Sequence, residues 1–137
     1  MNNKYDYSNL NYIFHLAIPS KNLDESKKFY SDVMDCKICR EYETHITINF
    51  FDHQLVCHKT DEAIPETTSM YPRHFGINLP EKIFWNLRKQ LSSRIVFWRQ
   101  PFMRAEGLPH EHWSFFLKDP SENLIEFKTY KDSNMNY

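Results

Sequence analysis

No apolar run in this sequence approaches the length of a membrane span, and its polar opening, MNNKYDYSNL, has no signal-peptide core. A cytoplasmic protein is the expectation. An excess of either charge is also missing: 17 Lys and Arg stand against 18 Asp and Glu, a formal net charge of -1. That balance gives no electrostatic pull toward nucleic acid or an anionic membrane, and neither is expected as a partner. Cysteine is sparse, and Cys36, Cys39 and Cys57 do not make a disulfide framework. The stretch CKIC has the C-x-x-C spacing, but it leads into a β-like run rather than opening a helix that would lower a thiol pKa. With no second pair to complete a zinc ribbon, Cys36 and Cys39 read as small strand residues. What the chain does have is 41% hydrophobic and 16% aromatic residues over 137 positions. That is enough for one packed domain over residues 1–137 without staples.

Periodicity divides the chain into a pattern that occurs twice. NYIFHLAIPS reads as a buried strand. SKNLDESKKFYSDVM reads as a helix with Asn22 as its N-cap, Glu25 three residues on, and a stripe of Leu23, Ser26, Tyr30, Val33 and Met34 ending near Asp35. CKICREY, HITINFF and QLVCHKT follow as three strands, the second alternating clearly between two faces. DEAIPETTSMYP is polar, carries two prolines and reads as a linker. RHFGINL is the next strand, and Pro80 starts a helix buried through Ile83, Phe84, Leu87 and Leu91. RIVFW is expected to be a strand and RQPFMRAEGLPHE a loop. HWSFFLKD and NLIEFKTY close the pattern as strands around the turn DPSE. The prediction is an α+β fold of two tandem βαβββ modules, about 12–60 and about 73–130, with a linker of about 61–72.

The two modules match in sequence as well as in element order. FHLAI at 14–18 corresponds to RHFGI at 73–77, which sets His15 against His74. QLVCHKT at 54–60 corresponds to NLIEFKT at 123–129, which sets Cys57 against Glu126. His15, His74 and Glu126 are thus polar residues in strands expected to bury their neighbours, and each needs a partner there. One answer is three unrelated groups, each satisfied by its own hydrogen bonds. The other is a shared ion, because two neutral imidazoles and one carboxylate suit a divalent metal and leave positions open on one side. A nitrogen and carboxylate set without thiolate favours Fe(II), Mn, Ni or Zn.

FHLAIPSKNLDESKKFYSDVM, RHFGINL and FFLKDPSENLIEF, in that order, resemble the vicinal oxygen chelate superfamily. This group includes glyoxalases, extradiol dioxygenases, fosfomycin-resistance transferases and bleomycin-binding (bleomycin resistance) proteins. The resemblance covers about residues 12–130. It implies two βαβββ modules forming a curled mixed sheet around a metal cleft, with ligands on the first, fifth and eighth strands, where His15, His74 and Glu126 fall. Glyoxalase-type isomerases add a fourth ligand near the end of the fourth strand, where the repeat sets Cys57; a small buried thiol is the expected role there, with His58 facing the other way.

A set of three ligands points to an extradiol dioxygenase-like oxidoreductase with Fe(II) favoured. A glyoxalase-like isomerase or lyase is the second reading, and a fosfomycin-type thiol transferase the third. A non-catalytic drug-binding protein is the contrasting class. The family's closing signature carries a tyrosine where Phe116 stands and a glycine where Glu122 stands. In GLPHEHW, His110 and His112 are the candidates for catalytic proton transfer, since imidazole titrates near neutral pH. Members of the superfamily commonly pair, some exchanging modules, so a homodimer acting on a small-molecule substrate is expected.

Overall fold

The structure is a computed structural model that describes residues 12–137. The opening MNNKYDYSNL and Asn11, on which the reading of a missing signal peptide rests, lie outside the described residues. The first module runs β1 (His15–Ser20), α1 (Leu23–Lys28), β2 (Lys37–Glu41), β3 (His45–Phe50) and β4 (His53–Lys59). The second repeats it with β5 (Phe75–Asn78), α2 (Glu81–Ser92), β6 (Arg99–Arg104), β7 (His112–Lys118) and β8 (Leu124–Tyr130). Each module makes a four-stranded mixed sheet, in the orders β1-β4-β3-β2 and β5-β8-β7-β6. The pairs β1/β4 and β5/β8 are parallel, and the other pairs are antiparallel. This is the tandem βαβββ fold, with its two sheets not closed into one barrel.

Local chemistry explains the elements. Asn22 Oδ1 accepts from the Glu25 backbone N–H at 3.0 Å, and Asp24 and Glu25 occupy the first turn of α1. The helix continues as a π-helical segment over Phe29–Val33, which turns Phe29 and Tyr30 into the core. Ile18, Ile46, Ile48, Leu55 and Cys57 lie in the same core on one face of the first sheet. The second sheet buries Phe115, Leu117, Ile125 and Phe127 together with Phe84 and Leu91 of α2.

The modules join through that core and through buried polar bonds. Phe50 meets Phe75 at a ring separation of 5.6 Å, and Phe51 meets Phe127 at 6.1 Å. Tyr30 donates its hydroxyl to Asp119 Oδ2 at 2.8 Å, across 89 residues of chain. Asn123 donates its side-chain amide to the Pro19 carbonyl at 2.9 Å, and the Lys21 N–H donates to Ser121 Oγ at 2.9 Å. The turn between β7 and β8 is therefore a clasp on the first module. Glu122, in that turn, has φ +68°, the left-handed region that glycine favours. Its carboxylate accepts from the Thr67 N–H at 2.8 Å and from Lys118 at 2.9 Å, and its carbonyl accepts from the Thr67 hydroxyl at 2.6 Å. The backbone strain at this position is offset by bonds that pin the linker, bonds a glycine side chain could not make.

Three local expectations are corrected. RIVFW is not a strand: Arg94 and Ile95 bond back to the Leu91 carbonyl, Val96 faces solvent, and Phe97 drops into the core to stack on Phe115 at 5.0 Å. The strand begins instead at Arg99, inside the segment expected to be a loop. It lies at a sheet edge and carries a register shift between Arg99 and Phe102, which accommodates Pro101. Ile83 is half exposed, because α2 turns Phe84 and Leu91 to the sheet instead.

Burial raises the Asp119 carboxyl above its ordinary value, against the lowering effect of bonds from Asn123, Tyr30 and Ser121. Tyr30→Phe removes a donor to that carboxylate and is expected to lower the unfolding free energy by about 1.5–3 kcal/mol at neutral pH, read as an earlier urea midpoint at unchanged slope. Asp119 binds its proton more tightly folded than unfolded, so its protonation adds stability in acid that fades as pH rises through its folded pKa. The gap between wild type and Tyr30→Phe should therefore narrow as pH falls toward 3.8, the ordinary aspartate value.

Candidate metal site

The second sheet builds the site through one close approach. β5 pairs with β8 so that Gly76 stands opposite Glu126. A Cβ placed on Gly76 would lie 1.6 Å from the Glu126 carbonyl oxygen, so only glycine lets the two strands meet here. His74, just before β5, is thereby brought to Glu126 on the sheet face opposite α2. Register places further residues on that face: Phe116 opposite Glu126, Ser114 opposite Lys128, His112 opposite Tyr130, and Arg104 opposite His112.

Glu126 is only 4% exposed. Its Oε2 accepts from Arg104 Nη1 at 3.2 Å, and Arg104 also donates to the Tyr71 hydroxyl. Its Oε1 lies 3.6 Å from His74 Nε2 and 3.8 Å from Lys128 Nζ. His74 Nδ1 is 2.6 Å from the Met70 carbonyl oxygen, which can only accept, so the proton is on Nδ1. In a neutral ring, Nε2 then turns a lone pair toward a carboxylate oxygen. Two acceptors facing each other leave a place for a cation. Donors each about 2.0–2.2 Å from one ion stand about 3–3.6 Å apart at octahedral or tetrahedral angles. A carbonyl on the far ring nitrogen is also the usual brace of a metal-ligating histidine. Phe116, fully buried, packs edge-on against the His74 ring at 5.6 Å and seals that side.

His15 is not the buried histidine expected; it is exposed on β1. Its Nδ1 donates to Gln54 Oε1 at 2.6 Å, from the residue directly paired with it on β4, so its Nε2 is likewise left as an acceptor. No three described His, Cys, Asp or Glu side chains converge on one point. Within one chain the structure brings together His74 and Glu126 and does not bring His15 to them.

The repeat register also needs correction by one residue. Ala17 pairs with Val56 as Gly76 pairs with Glu126, so Val56 is the counterpart of Glu126. Cys57 instead points into the core with no exposure, and burial, then the Asp119 charge, pushes its thiol up to about 12. His58 shares the sheet face of His15, where its ring lies 5.2 Å from His45, which in turn stacks on Tyr42 at 4.5 Å.

His112 is buried on the Glu126 face, but four positions along β7 from Phe116. Its Nδ1 donates to the His110 carbonyl at 2.7 Å, and its ring packs on Tyr130 at 4.7 Å. The His110 side chain is exposed in the loop before β7. Arg104, Tyr71, Lys128 and Gln54 were not anticipated from the sequence. Lys128 could have been, since alternation puts it on the Glu126 face two residues on. Beside His74 opens a cleft of about 490 Å³, lined among others by Ile18, Tyr71, His74 and Leu124, within the usual size of a small-molecule site.

Two βαβββ modules with an imidazole and a carboxylate facing across an ion-sized gap define a glyoxalase-like scaffold. The family model described as the glyoxalase/bleomycin resistance protein/dioxygenase superfamily matches residues 12–127, and the chain belongs to that superfamily. It is 49% identical to a solved glyoxalase/bleomycin resistance protein/dioxygenase from Alicyclobacillus acidocaldarius, covering 95% of this chain and 99% of that one at a TM-score of 0.89. It shares the fold of the fosfomycin resistance protein FosX from Listeria monocytogenes, at 12% identity, 92% and 98% coverage and a TM-score of 0.68. Lactoylglutathione lyase from Agrobacterium tumefaciens is similar at 17% identity, 88% and 95% coverage and a TM-score of 0.66. A comparison with curated proteins finds no match.

The contrast between an exposed and a buried cysteine makes a test of the thiols. Cys39 is exposed, whereas Cys57 is buried with its pKa raised to about 12. Native protein treated with iodoacetamide at neutral pH should be alkylated at Cys39 and remain unmodified at Cys57 until denatured, as peptide mass spectrometry will report. Rapid native labelling of Cys57 would mean that its thiol lies outside the core.

Proposed function

We propose that this protein is a metal-dependent enzyme acting on a small molecule with two adjacent oxygen atoms, with extradiol dioxygenase-like cleavage by Fe(II) as its leading activity and glyoxalase-like isomerase or lyase chemistry second. The observation that carries the reading is the facing pair, His74 Nε2 and Glu126 Oε1, with the far nitrogen of His74 tied to a carbonyl. His15, braced the same way by Gln54, is the third ligand, supplied by a second copy of the chain in a homodimer. Mn, Ni or Zn fit the same donor atoms.

A divalent cation held there supplies a Lewis acid for charge that develops on the substrate's oxygens. The chain's own residues do the rest. Arg104 donates to Glu126 Oε2 and so fixes the direction of the carboxylate that would serve as a ligand. Met70 fixes the tautomer and direction of His74. Phe116 keeps water from one side of the imidazole and offers no hydroxyl, while Tyr71 brings one in from the linker beside Arg104. His112, on the same sheet face, is the candidate proton carrier, with His110 at the loop above it.

The test is elemental analysis of protein purified without added metal, with His74→Ala, Glu126→Gln and His15→Ala beside wild type. Wild type should hold one metal per chain and each variant less than about a tenth of that, because losing one of three ligands removes most of the affinity. Co-expressing tagged His15→Ala with Glu126→Gln should restore about half-occupancy in the mixed dimer, since one of its two sites is then intact. Unchanged metal in His74→Ala sinks the site, and failure of the mixed dimer to recover metal sinks the shared arrangement. With iron present, oxygen uptake on a panel of catechols is expected; none, with metal bound, moves the reading to the isomerase.

A further inference from the structure

The face that carries Glu126 holds more positive charge than Glu126 can balance. Arg104 and Lys128 both reach its carboxylate, on Oε2 and Oε1 respectively, and no other described acidic group is paired with either. Both of these side chains remain 27% exposed, whereas that of Glu126 is 5% exposed. An ion between His74 and Glu126 would add further positive charge and weaken the hold of Glu126 on both heads.

Between them lies an independent sign of a missing partner. Ser114 pairs directly with Lys128 across β7 and β8, so the two side chains share this face. Its Oγ is fully buried and finds no hydrogen-bond partner among the described residues. A buried hydroxyl left without a partner is costly and rare in a native protein. The Tyr71 hydroxyl, held by Arg104, and the Tyr130 hydroxyl, 3.2 Å from Lys128 Nζ, add two donors at the margins.

We infer that Arg104, Lys128 and Ser114 form an oxyanion subsite beside the Glu126 centre, so that the substrate carries a carboxylate or phosphate group in addition to its two adjacent oxygens. This assignment rests on the metal reading above and names its substrate class. The guanidinium offers a planar fork to two oxygens, the ammonium a point charge, and the serine a single neutral donor. Together they match a tetrahedral or planar oxyanion better than a neutral alcohol. No chemical step is added: the subsite binds and orients.

The test uses zinc-loaded full-length protein, which avoids oxidation of the probes, and isothermal titration. The carboxylate arm compares 3,4-dihydroxybenzoate with catechol, and the phosphate arm compares 2-phosphoglycolate with glycolate. In at least one arm the member carrying the additional anionic group should bind about tenfold more tightly than its counterpart without it, the scale of charge-assisted hydrogen bonds. Arg104→Met and Lys128→Met, each titrated at saturating zinc, should bring that ratio close to one. A ratio of one in both arms of wild type overturns the subsite and leaves the metal reading standing. So does a ratio that persists in both variants. Should wild type take up no zinc at all, the metal reading fails and the subsite falls with it. The wild-type ratio decides the matter even if one variant does not fold.

Discussion

A single carboxylate, Glu126, is held almost wholly out of water in the middle of the second sheet, and its charge must be answered by its neighbours. Much of this region is arranged around that requirement. Gly76 has no side chain because one would collide with the strand that carries the carboxylate. Arg104 reaches in from the edge strand, Lys128 from two residues along β8, and His74 from just before β5. Tyr71 holds the other side of the guanidinium, so a linker residue is drawn into the same network. Removing any one positive partner would leave a buried charge less compensated. Removing the carboxylate would leave two cations facing each other across an apolar floor.

The first module follows the same plan with a different outcome. Its β1 and β4 pair in the register of β5 and β8, and its histidine sits at the matching position, yet Val56 stands where Glu126 would be. With no carboxylate to compensate, there is nothing to draw basic groups inward. His15 is consequently exposed, and its hydrogen bond among the described residues is to Gln54. Duplication therefore produced one module able to offer two donors and another able to offer one. Neither satisfies a three-ligand ion on its own, and the single chain does not bring them together. That asymmetry is the physical ground on which the shared site is proposed.

The element order, the caps and the two equivalent histidines were readable because they depend on short-range rules. Asn22 at an N-cap and alternation in HITINF need no distant partner to be recognised. What could not be read were features fixed by tertiary contact. β6 contains polar residues and Pro101, and it is a strand only because β7 offers it an edge. His15 looked buried because its neighbours are apolar, but at that end of the strand the described residues leave it exposed. A one-residue error in aligning β4 with β8 exchanged Cys57 for Val56, because the apolar pairs Leu55-Val56 and Leu124-Ile125 and the shared Lys-Thr line up in a register one residue away from the one the paired strands adopt. Glu122 replaces a glycine that the family signature expects; only the structure shows that its carboxylate holds the linker in return.

These features also separate ion binding from folding. In small zinc modules the ligands have no other partners, so the metal is the fold's main source of stability. Here the core of Ile48, Leu55, Phe84, Phe115, Ile125 and Phe127 is complete without an ion, and the Tyr30–Asp119 bond joins the modules at a distance from the site in sequence. Glu126 has Arg104 as a partner in its own right, so loss of the proposed cation would exchange one ion pair for another instead of stranding a charge. The exchange has two sides. In the proposed site Arg104 would compete with a metal for Glu126, and without the metal it holds the carboxylate in place. A site organised in this way would be ready before an ion arrived, and on the proposed reading its guanidinium would then be available to another oxyanion.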